Sequence, residues 1–330
     1  MNTPSIAHRF YRRLGGRRPA PAILMYHRVT ELEQDPWGMA VSPEIFGQQL
    51  AYLRRHRTTM PLDRLVEGLR SGNLPRDAVA ITFDDGYRDN LVNAKPLLMD
   101  YRLPATLFLP TGWVGSSVPF WWDELAEWTL LSNQKVNHTE LVEDETFLLR
   151  WDEPESADAD EAWRASSEPR TARQKAYITL WRKLRDLTQG ERFRVLESLR
   201  GRFRGVCPPL SLPMNRSEIQ ELTQDGLITI GAHTVHHPAL TCLSTEECRK
   251  EILDSVEQCR IATGVEVTSF AYPYGDMNER VREIVSQAGL SSACSTRGAH
   301  LNLDCEDLYG LPRLAVPNSD MAQFKAMLTS

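Results

Sequence analysis

The stretch Thr82-Phe83-Asp84-Asp85-Gly86-Tyr87 limits what this chain can become more than any other. It follows Ala78-Val79-Ala80-Ile81, an apolar and partly β-branched run of the kind buried in a parallel sheet. Gly86 then breaks the strand and helical spacing resumes. Two adjacent carboxylates therefore stand where a buried strand ends, the edge at which α/β folds place ligands and chemistry. Like charges side by side repel, and a shared cation or proton must offset the cost. Taken alone, the hexapeptide reads equally well as a strand-end turn in which Asp84 or Asp85 caps the next helix. A second stretch, His233-Thr234-Val235-His236-His237-Pro238, also directly follows a strand-like run, Leu227 to Ala232. One carboxylate and two imidazoles make a facial triad for a divalent metal, with positions left for water and substrate.

The 330 residues are ample for one large core or a core with a subdomain. A net charge of -6 argues against a general nucleic-acid binder. No apolar run is long enough to span a bilayer. Residues 1–21 carry Arg9, Arg12, Arg13, Arg17 and Arg18 without an apolar stretch, so they read as a basic solvated tail; weak peripheral contact with anionic lipid is the alternative. The six cysteines show no CxxC spacing and read as reduced thiols, which points to a cytoplasmic location.

Along the chain, Ala22-Ile23-Leu24-Met25-Tyr26 reads as the first strand and delivers His27 at its end. Ser42 and Pro43 open a helix with Phe46, Leu50 and Leu53 inward. A helix runs from Tyr87 to about Asp100, with Asp89 as a helix-start carboxylate. Ala105 to Leu109 is the next buried strand. Between 113 and 215 strand-like runs fade into a helical insertion, with an acidic loop from Glu140 to Glu161 and an amphipathic helix carrying Tyr177, Leu180, Trp181, Leu184 and Leu187. Trp121 and Trp122 either border a groove, where they would stack on a sugar ring, or fill the insertion's core. Strand-helix alternation then returns. Ser244 and Glu247 form a capping box, Val267 to Tyr272 is a strand, Asp276 and Glu279 cap a further helix, and Leu311 to Val316 closes the series. The division is thus a tail (1–21), a first barrel part (22–112), the insertion (113–215) and a second barrel part (216–330).

Thr82-Phe83-Asp84-Asp85-Gly86, the His233 to Pro238 run and Phe270-Ala271-Tyr272-Pro273-Tyr274-Gly275, in that order, resemble the first three motifs of the polysaccharide deacetylases, carbohydrate esterase family 4. Tyr26-His27-Arg28-Val29 is similar to the opening of bacterial members of surface-polysaccharide pathways. The resemblance covers about residues 22–112 and 216–318. It implies a deformed, TIM-like (β/α)7-type barrel and a divalent metal, zinc first and Co2+, Ni2+ or Mn2+ after it. It also implies hydrolysis of N-acetyl groups from an amino-sugar glycan or a lipid-linked saccharide. By the same resemblance Asp84 is the general base, Asp85, His233 and His237 the metal ligands, and Tyr274 the residue whose backbone N–H faces the oxyanion. Tyr87 and Pro273, within the motifs, and Trp121 and Trp122 are the candidate substrate contacts.

Two departures matter. Ala271 stands where the family has an arginine that orients the base, and no late Leu-x-His supplies the general acid; His300 is off-pattern. His27 is the candidate acid and Arg313 the candidate partner of Asp84. Three functions stay open: an amino-sugar N-deacetylase, an amidohydrolase or O-acetyl esterase on another substrate, and a non-catalytic glycan-binding protein.

Overall fold

The structure, a computed structural model, describes residues 19–131, 136–142, 145–151, 163–203, 211–304 and 307–329. Most of the basic tail, and residues 143–144 and 152–161 of the expected acidic loop, lie outside them. Twelve strands occur among the described residues: β1 (Ala22–Tyr26), β2 (Arg28–Val29), β3 (Ala40–Val41), β4 (Thr58–Thr59), β5 (Ala78–Asp84), β6 (Ala105–Leu109), β7 (Val136–Val142), β8 (Glu145–Trp151), β9 (Ile228–Ala232), β10 (Ser269–Ala271), β11 (Ser292–Cys294) and β12 (Leu314–Ala315). Seven of them lie edge to edge in the order β11-β10-β9-β6-β5-β1-β12, with β4 against the start of β5. All the pairs in this sheet are parallel. The sheet curls until its ends meet. Leu311, just before β12, receives the Ser295 N–H at 2.8 Å and donates its own N–H to Ala293 at 2.9 Å, beside β11.

That closure sorts the side chains. β1, β5 and β6 are buried along their whole length, as strands covered on both faces must be. Alternate residues then divide between two cores. Leu24, Tyr26, Ile81, Phe83 and Leu107 face the surrounding helices, whereas Ile23, Ala78, Ala80, Phe108, Ala271 and Cys294 fill the barrel. By the same alternation Thr82 and Asp84 follow Ala80 inward. The carboxylate that ends β5 therefore points into the barrel mouth.

The helices form where their ends are capped. The Ser42 side chain accepts from Ile45 N–H at the start of Pro43–His56, and the Ser244–Glu247 capping box opens Thr245–Thr263. Helix Glu279–Gln287 differs from expectation. Asn278 caps it, while Asp276 instead accepts from the Thr241 N–H and hydroxyl at 2.7 and 2.9 Å. The expected acidic loop also differs, since β7 and β8 pair as an antiparallel hairpin. Leu141, Val142, Phe147, Leu148 and Leu149 supply the strand-forming content that the acids between them conceal.

The helices Trp121–Ala126, Ala172–Asp186 and Gln189–Arg200 build a second core from Phe120, Trp121, Leu125, Tyr177, Leu180, Leu184 and Leu196, and Tyr87 joins it. That core lies over the barrel mouth, so its inner aromatic residues become walls of whatever the mouth holds.

One local irregularity fixes the mouth from the other side. The helix after Gly86 contains a π turn over Asn90–Ala94. The extra residue lets Asp89 and Asn90 both face the junction of β1 and β2. Asp89 accepts from Arg28 Nε and from the Val29 N–H, each at 2.9 Å, and Asn90 donates to the His27 carbonyl at 2.9 Å. Asp89 stands at the helix start, as expected from its position, but its side chain caps nothing there and is instead the buried ion-pair partner of Arg28. Removing one partner of a buried pair leaves the other charge uncompensated. Asp89→Ala is expected to lose about 3–5 kcal/mol of stability in urea unfolding, and a loss below 1 kcal/mol would mean that Arg28 needs no counter-charge there.

Candidate metal centre and active site

Each functional side chain is delivered by the end of a barrel strand. β5 ends at Asp84, and the chain turns at once through Asp85 (φ 73°) and Gly86 (φ 74°). Gly86 answers two demands: the left-handed conformation, and a close approach that would put a Cβ 2.6 Å from Leu109 Cδ1. The turn swings the Asp85 carboxylate away from that of Asp84, so neighbours in sequence meet different surroundings. β9 ends at Ala232 and releases His233. Thr234 (φ 64°) and His237 (φ 55°) are left-handed, which curls the loop until both rings face Asp85.

The loop is held from several directions. Glu251, from the helix Thr245–Thr263, accepts from the Val235 and His236 N–H groups, each at 2.9 Å, and its other oxygen lies 2.7 Å from His236 Nδ1. Thr234 Oγ1 accepts from the His237 N–H at 3.0 Å, and the Gly112 N–H donates to the Val235 carbonyl at 2.8 Å. His236 therefore points away from the triad, toward Glu251.

Asp85, His233 and His237 converge. Asp85 Oδ1 lies 3.4 Å from His237 Nε2 and 3.8 Å from His233 Nε2. One ligand atom from each of the three falls within 4.8 Å of the others. Three observations fit this donor set to a cation. Asp85 Oδ1 is buried and accepts no hydrogen bond. His233 Nδ1 sits 2.7 Å from the Ala271 carbonyl, which fixes Nδ1 as the N–H and leaves the Nε2 lone pair directed at the triad. Burial lowers the pKa of His233 to about 4 and that of His237 well below the usual value, so both rings are neutral, as ligands must be. Burial also raises the Asp85 carboxyl well above the usual range, and the Asp84 charge raises it further. A neighbouring cation would relieve both.

Asp84 meets the opposite environment. Arg313 grips it with two parallel bonds of 2.7 Å, Nη1 to Oδ1 and Nη2 to Oδ2. Arg313 also donates from Nε to the Ser295 carbonyl at 3.0 Å and from Nη1 to Thr82 Oγ1 at 3.2 Å. Burial would raise the Asp84 pKa, but Arg313 and, after it, His233 pull it down to about 2. His27 Nε2 lies 3.9 Å from Asp84 Oδ2. Its pKa is lowered by burial, against the upward pull of Asp84.

These groups open into a cleft of about 460 Å³, lined also by Trp37, Met39, Trp122, Trp181, Arg182, Arg185 and Tyr274. Trp122 lies beside His237, with ring centres 4.9 Å apart, and Tyr274 is edge-on to the same ring at 4.5 Å. Of the residues expected at the substrate, His27, Trp122 and Tyr274 are on the cleft wall. Trp121 is fully buried, Pro273 is buried outside the wall, and Tyr87 lies behind it, accepting from Trp122 Nε1 and donating to Asp123, each at 2.8 Å. Tyr87 thereby fixes the angle at which Trp122 meets His237. Sequence reasoning missed Trp37, Arg182 and Arg185 as wall residues. The last two share a helix with Trp181, Arg185 one turn on and Arg182 next in sequence, and polar residues at such positions occur on any amphipathic helix.

A seven-stranded parallel α/β barrel whose strand ends bring a carboxylate and two imidazoles within ligand distance, next to an arginine-clamped second carboxylate, defines a candidate metal-dependent hydrolase. The family profile for polysaccharide deacetylases matches residues 71–176 and 208–293, and the chain belongs to that family. Chitin deacetylase 1 of Cryptococcus neoformans var. grubii is 34% identical over 104 residues, 30% of this chain and 22% of that protein. A poly-beta-1,6-N-acetyl-D-glucosamine N-deacetylase of Staphylococcus aureus is 35% identical over 77 residues, 23% of this chain and 27% of that protein. The matches thus span about a quarter or less of these curated relatives. The fold is similar to that of the Streptococcus pyogenes deacetylase PplD, with a TM-score of 0.60 and 17% identity over 96% of this chain and 100% of the other. It is similar as well to IcaB from Ammonifex degensii, with a TM-score of 0.58 and 18% identity over 95% and 99%.

Glu251 gives a test of how the loop is held. Glu251 holds the loop through Val235 and His236, not through a ligand ring. Glu251→Ala is expected to weaken zinc binding in chelator competition by about tenfold, the low end of what losing a direct partner of a ligand costs, and unchanged affinity would show that the loop keeps its shape without the clamp.

Proposed function

We propose that this protein removes an N-acetyl group from an amino-sugar glycan or glycolipid precursor, using a divalent metal held by Asp85, His233 and His237. The observation that carries the reading is the pairing, in one cleft, of that triad with a second carboxylate kept ionised by Arg313. A metal there would supply Lewis-acid polarisation of the amide carbonyl and a water acidified to a pKa of about 7. The protein's own groups do the rest. Asp84 is the base that accepts the water's proton, oriented by Arg313. Because Arg313 favours the anion, Asp84 holds that proton weakly and can pass it on. His27, neutral in the resting site and next to Asp84, is placed to receive the proton at Nε2 and deliver it to the leaving nitrogen. Tyr274 is assigned the backbone N–H that faces the developing oxyanion. Trp122, stacked on Phe120 and set against His237, is buried and acts as a wall of the mouth that holds the His237 ring.

Zinc is the metal proposed, since catalytic zinc sites are built from two imidazoles, one carboxylate and an open position. The amide-cleaving reading is favoured over a purely binding role because a glycan-binding site has no need of an ionised base clamped beside a metal triad. Among the described residues no helix is long and apolar enough to cross a membrane. The buried Cys248, Cys259 and Cys294 are free thiols, which supports the cytoplasmic location and, with it, an intracellular precursor as substrate.

Acetate release from N-acetylated oligosaccharides, with metal content measured in parallel, tests the assignment. Alanine at Asp85, His233 or His237 is expected to remove zinc and activity together, and full activity with His233→Ala would reject the site. Asp84→Asn and His27→Gln should each keep zinc and lower kcat by about 10²–10⁴-fold. Equal turnover with His27→Gln would leave the proton delivery to another group. Arg313→Ala removes the charge that holds Asp84 low, while burial and the Asp85 charge remain. The Asp84 pKa must then rise from about 2, and the acid limb of the pH–rate profile should move to higher pH. An unshifted limb would dismiss Arg313 as the orienting residue.

A further inference from the structure

The cleft wall opposite the barrel comes from a different part of the chain. The helix Ala172–Asp186 contributes Trp181, Arg182 and Arg185, and the segment between β2 and β3 adds Trp37. The two indoles contact each other, with ring centres 4.2 Å apart, and Trp37 Nε1 is fixed by a 2.7 Å bond to the Tyr177 hydroxyl. Trp181 meets the Tyr274 ring edge-on at 5.7 Å, and Tyr274 in turn meets His237. A continuous aromatic strip therefore runs from the triad to the two guanidinium groups. Arg185 lies 5.9 Å over the Trp181 ring and directs its Nε to Asp186 at 2.7 Å, a pair on the solvent side. Arg182 is exposed at the rim.

Charge makes this wall unusual for the molecule. The chain as a whole carries a net charge of -6, yet its cleft presents two guanidinium groups at one end. The carboxylates among the lining residues are Asp84 and Asp85, at the other end, and Arg313 already compensates Asp84. A neutral amino-sugar polymer offers two arginines only hydroxyl and carbonyl oxygens, with no counter-charge. Guanidinium groups bind phosphate and carboxylate through paired N–H donors, and a sugar face stacks on indole.

We infer that the substrate of this cleft is an anionic amino sugar, whose acetamido group lies at the triad, whose ring stacks on Trp181 and Trp37, and whose phosphate or carboxylate is held by Arg182 and Arg185. This rests on the deacetylase reading for the acetamido end, while the anion end can be read without turnover. The two sources of the anion are a phosphate on the sugar itself and the carboxylate of a neighbouring uronic acid.

Intrinsic tryptophan fluorescence of the full chain loaded with zinc reports binding directly. N-acetylglucosamine, N-acetylglucosamine 1-phosphate and a glucuronyl-N-acetylglucosamine disaccharide are the probes, with acetate release followed on the same samples. At low salt an anionic probe is expected to bind about tenfold more tightly than the neutral sugar, a preference that added salt erodes. Whichever anionic probe shows the preference identifies the source. In the Arg182→Gln, Arg185→Gln double variant the ratio of anionic to neutral affinity should fall close to one, and lysine at both positions should restore part of it. Equal binding of charged and neutral sugars, an unchanged ratio in the double variant, or no binding of either anionic probe would overturn the inference. Charge-dependent binding without acetate release would sink the deacetylase reading alone, and acetate release indifferent to both arginines would sink the anion site alone.

Discussion

The bidentate pair between Arg313 and Asp84 is the interaction on which the rest of the site depends. Both groups are buried, and taking two charges out of water costs several kcal/mol per ion unless the geometry is good and the remaining donors are satisfied. Here they are. The Nε–H goes to the Ser295 carbonyl, Nη1 also reaches Thr82 Oγ1, and Thr82 in turn donates to the Leu24 carbonyl at 2.7 Å. Arg313 therefore ties together β5, β1 and the end of β11 at the seam where the sheet closes. Barrel closure and carboxylate orientation are one event. The ion pair forms only if the last strand returns to β1, and the returning segment brings the cation that makes an acidic group tolerable at the end of β5.

Strain is distributed in the same economical way. Of the five non-glycine residues with positive φ among those described, Asp85, Thr234, His237 and Tyr274 lie at the mouth; Arg102, at the end of a helix, is the exception. Each such residue costs on the order of 1–3 kcal/mol and persists only where its surroundings over-determine it. At the mouth that role falls to Gly86 and its tight packing on Leu109, to Glu251 with Thr234, and to the His233 contact with the Ala271 carbonyl. The ordered barrel stores the geometry that a flexible loop would have to acquire on binding.

Much of this was legible in the sequence because the signals are local. An apolar run followed by two acids, or by His-x-x-x-His, states both the strand and what its end carries. The capping residues Ser42 and Ser244 state where helices begin. What stayed hidden depends on distant partners. Asp89 reads as a helix-start carboxylate until the π turn aims it at Arg28, sixty-one residues away. Asp276 looks like a cap until Thr241 takes it. The β7–β8 hairpin is obscured by acids between its apolar residues. Trp121 and Trp122 are adjacent and chemically identical, yet the first is sealed in the insertion's core and the second faces His237, a division set by helix rotation. Arg182 and Arg185 lie on the polar side of an amphipathic helix, and only the placement of that helix over the mouth sets them at its rim. The arginine expected at position 271 is the reverse case: Ala271 packs in the barrel core, and Arg313, just before β12, supplies the guanidinium.

The two vicinal carboxylates show how far placement outweighs identity. Asp84 and Asp85 differ by one turn of backbone. Both are buried, so desolvation pushes both toward the neutral form. For Asp84, a guanidinium at 2.7 Å overrides that push and holds the group near the bottom of the carboxylate range. Asp85 has no such partner, and the anion next door adds to its cost. The pair therefore cannot be satisfied twice by the same cation. Once Arg313 is committed to Asp84, the demand for positive charge falls entirely on the space that Asp85 shares with two neutral imidazoles. An ion there would answer the demand, and the neighbour, already compensated, would have no call on it. The division between ligand and base proposed for the two carboxylates would then follow from where Arg313 sits, before any substrate arrives.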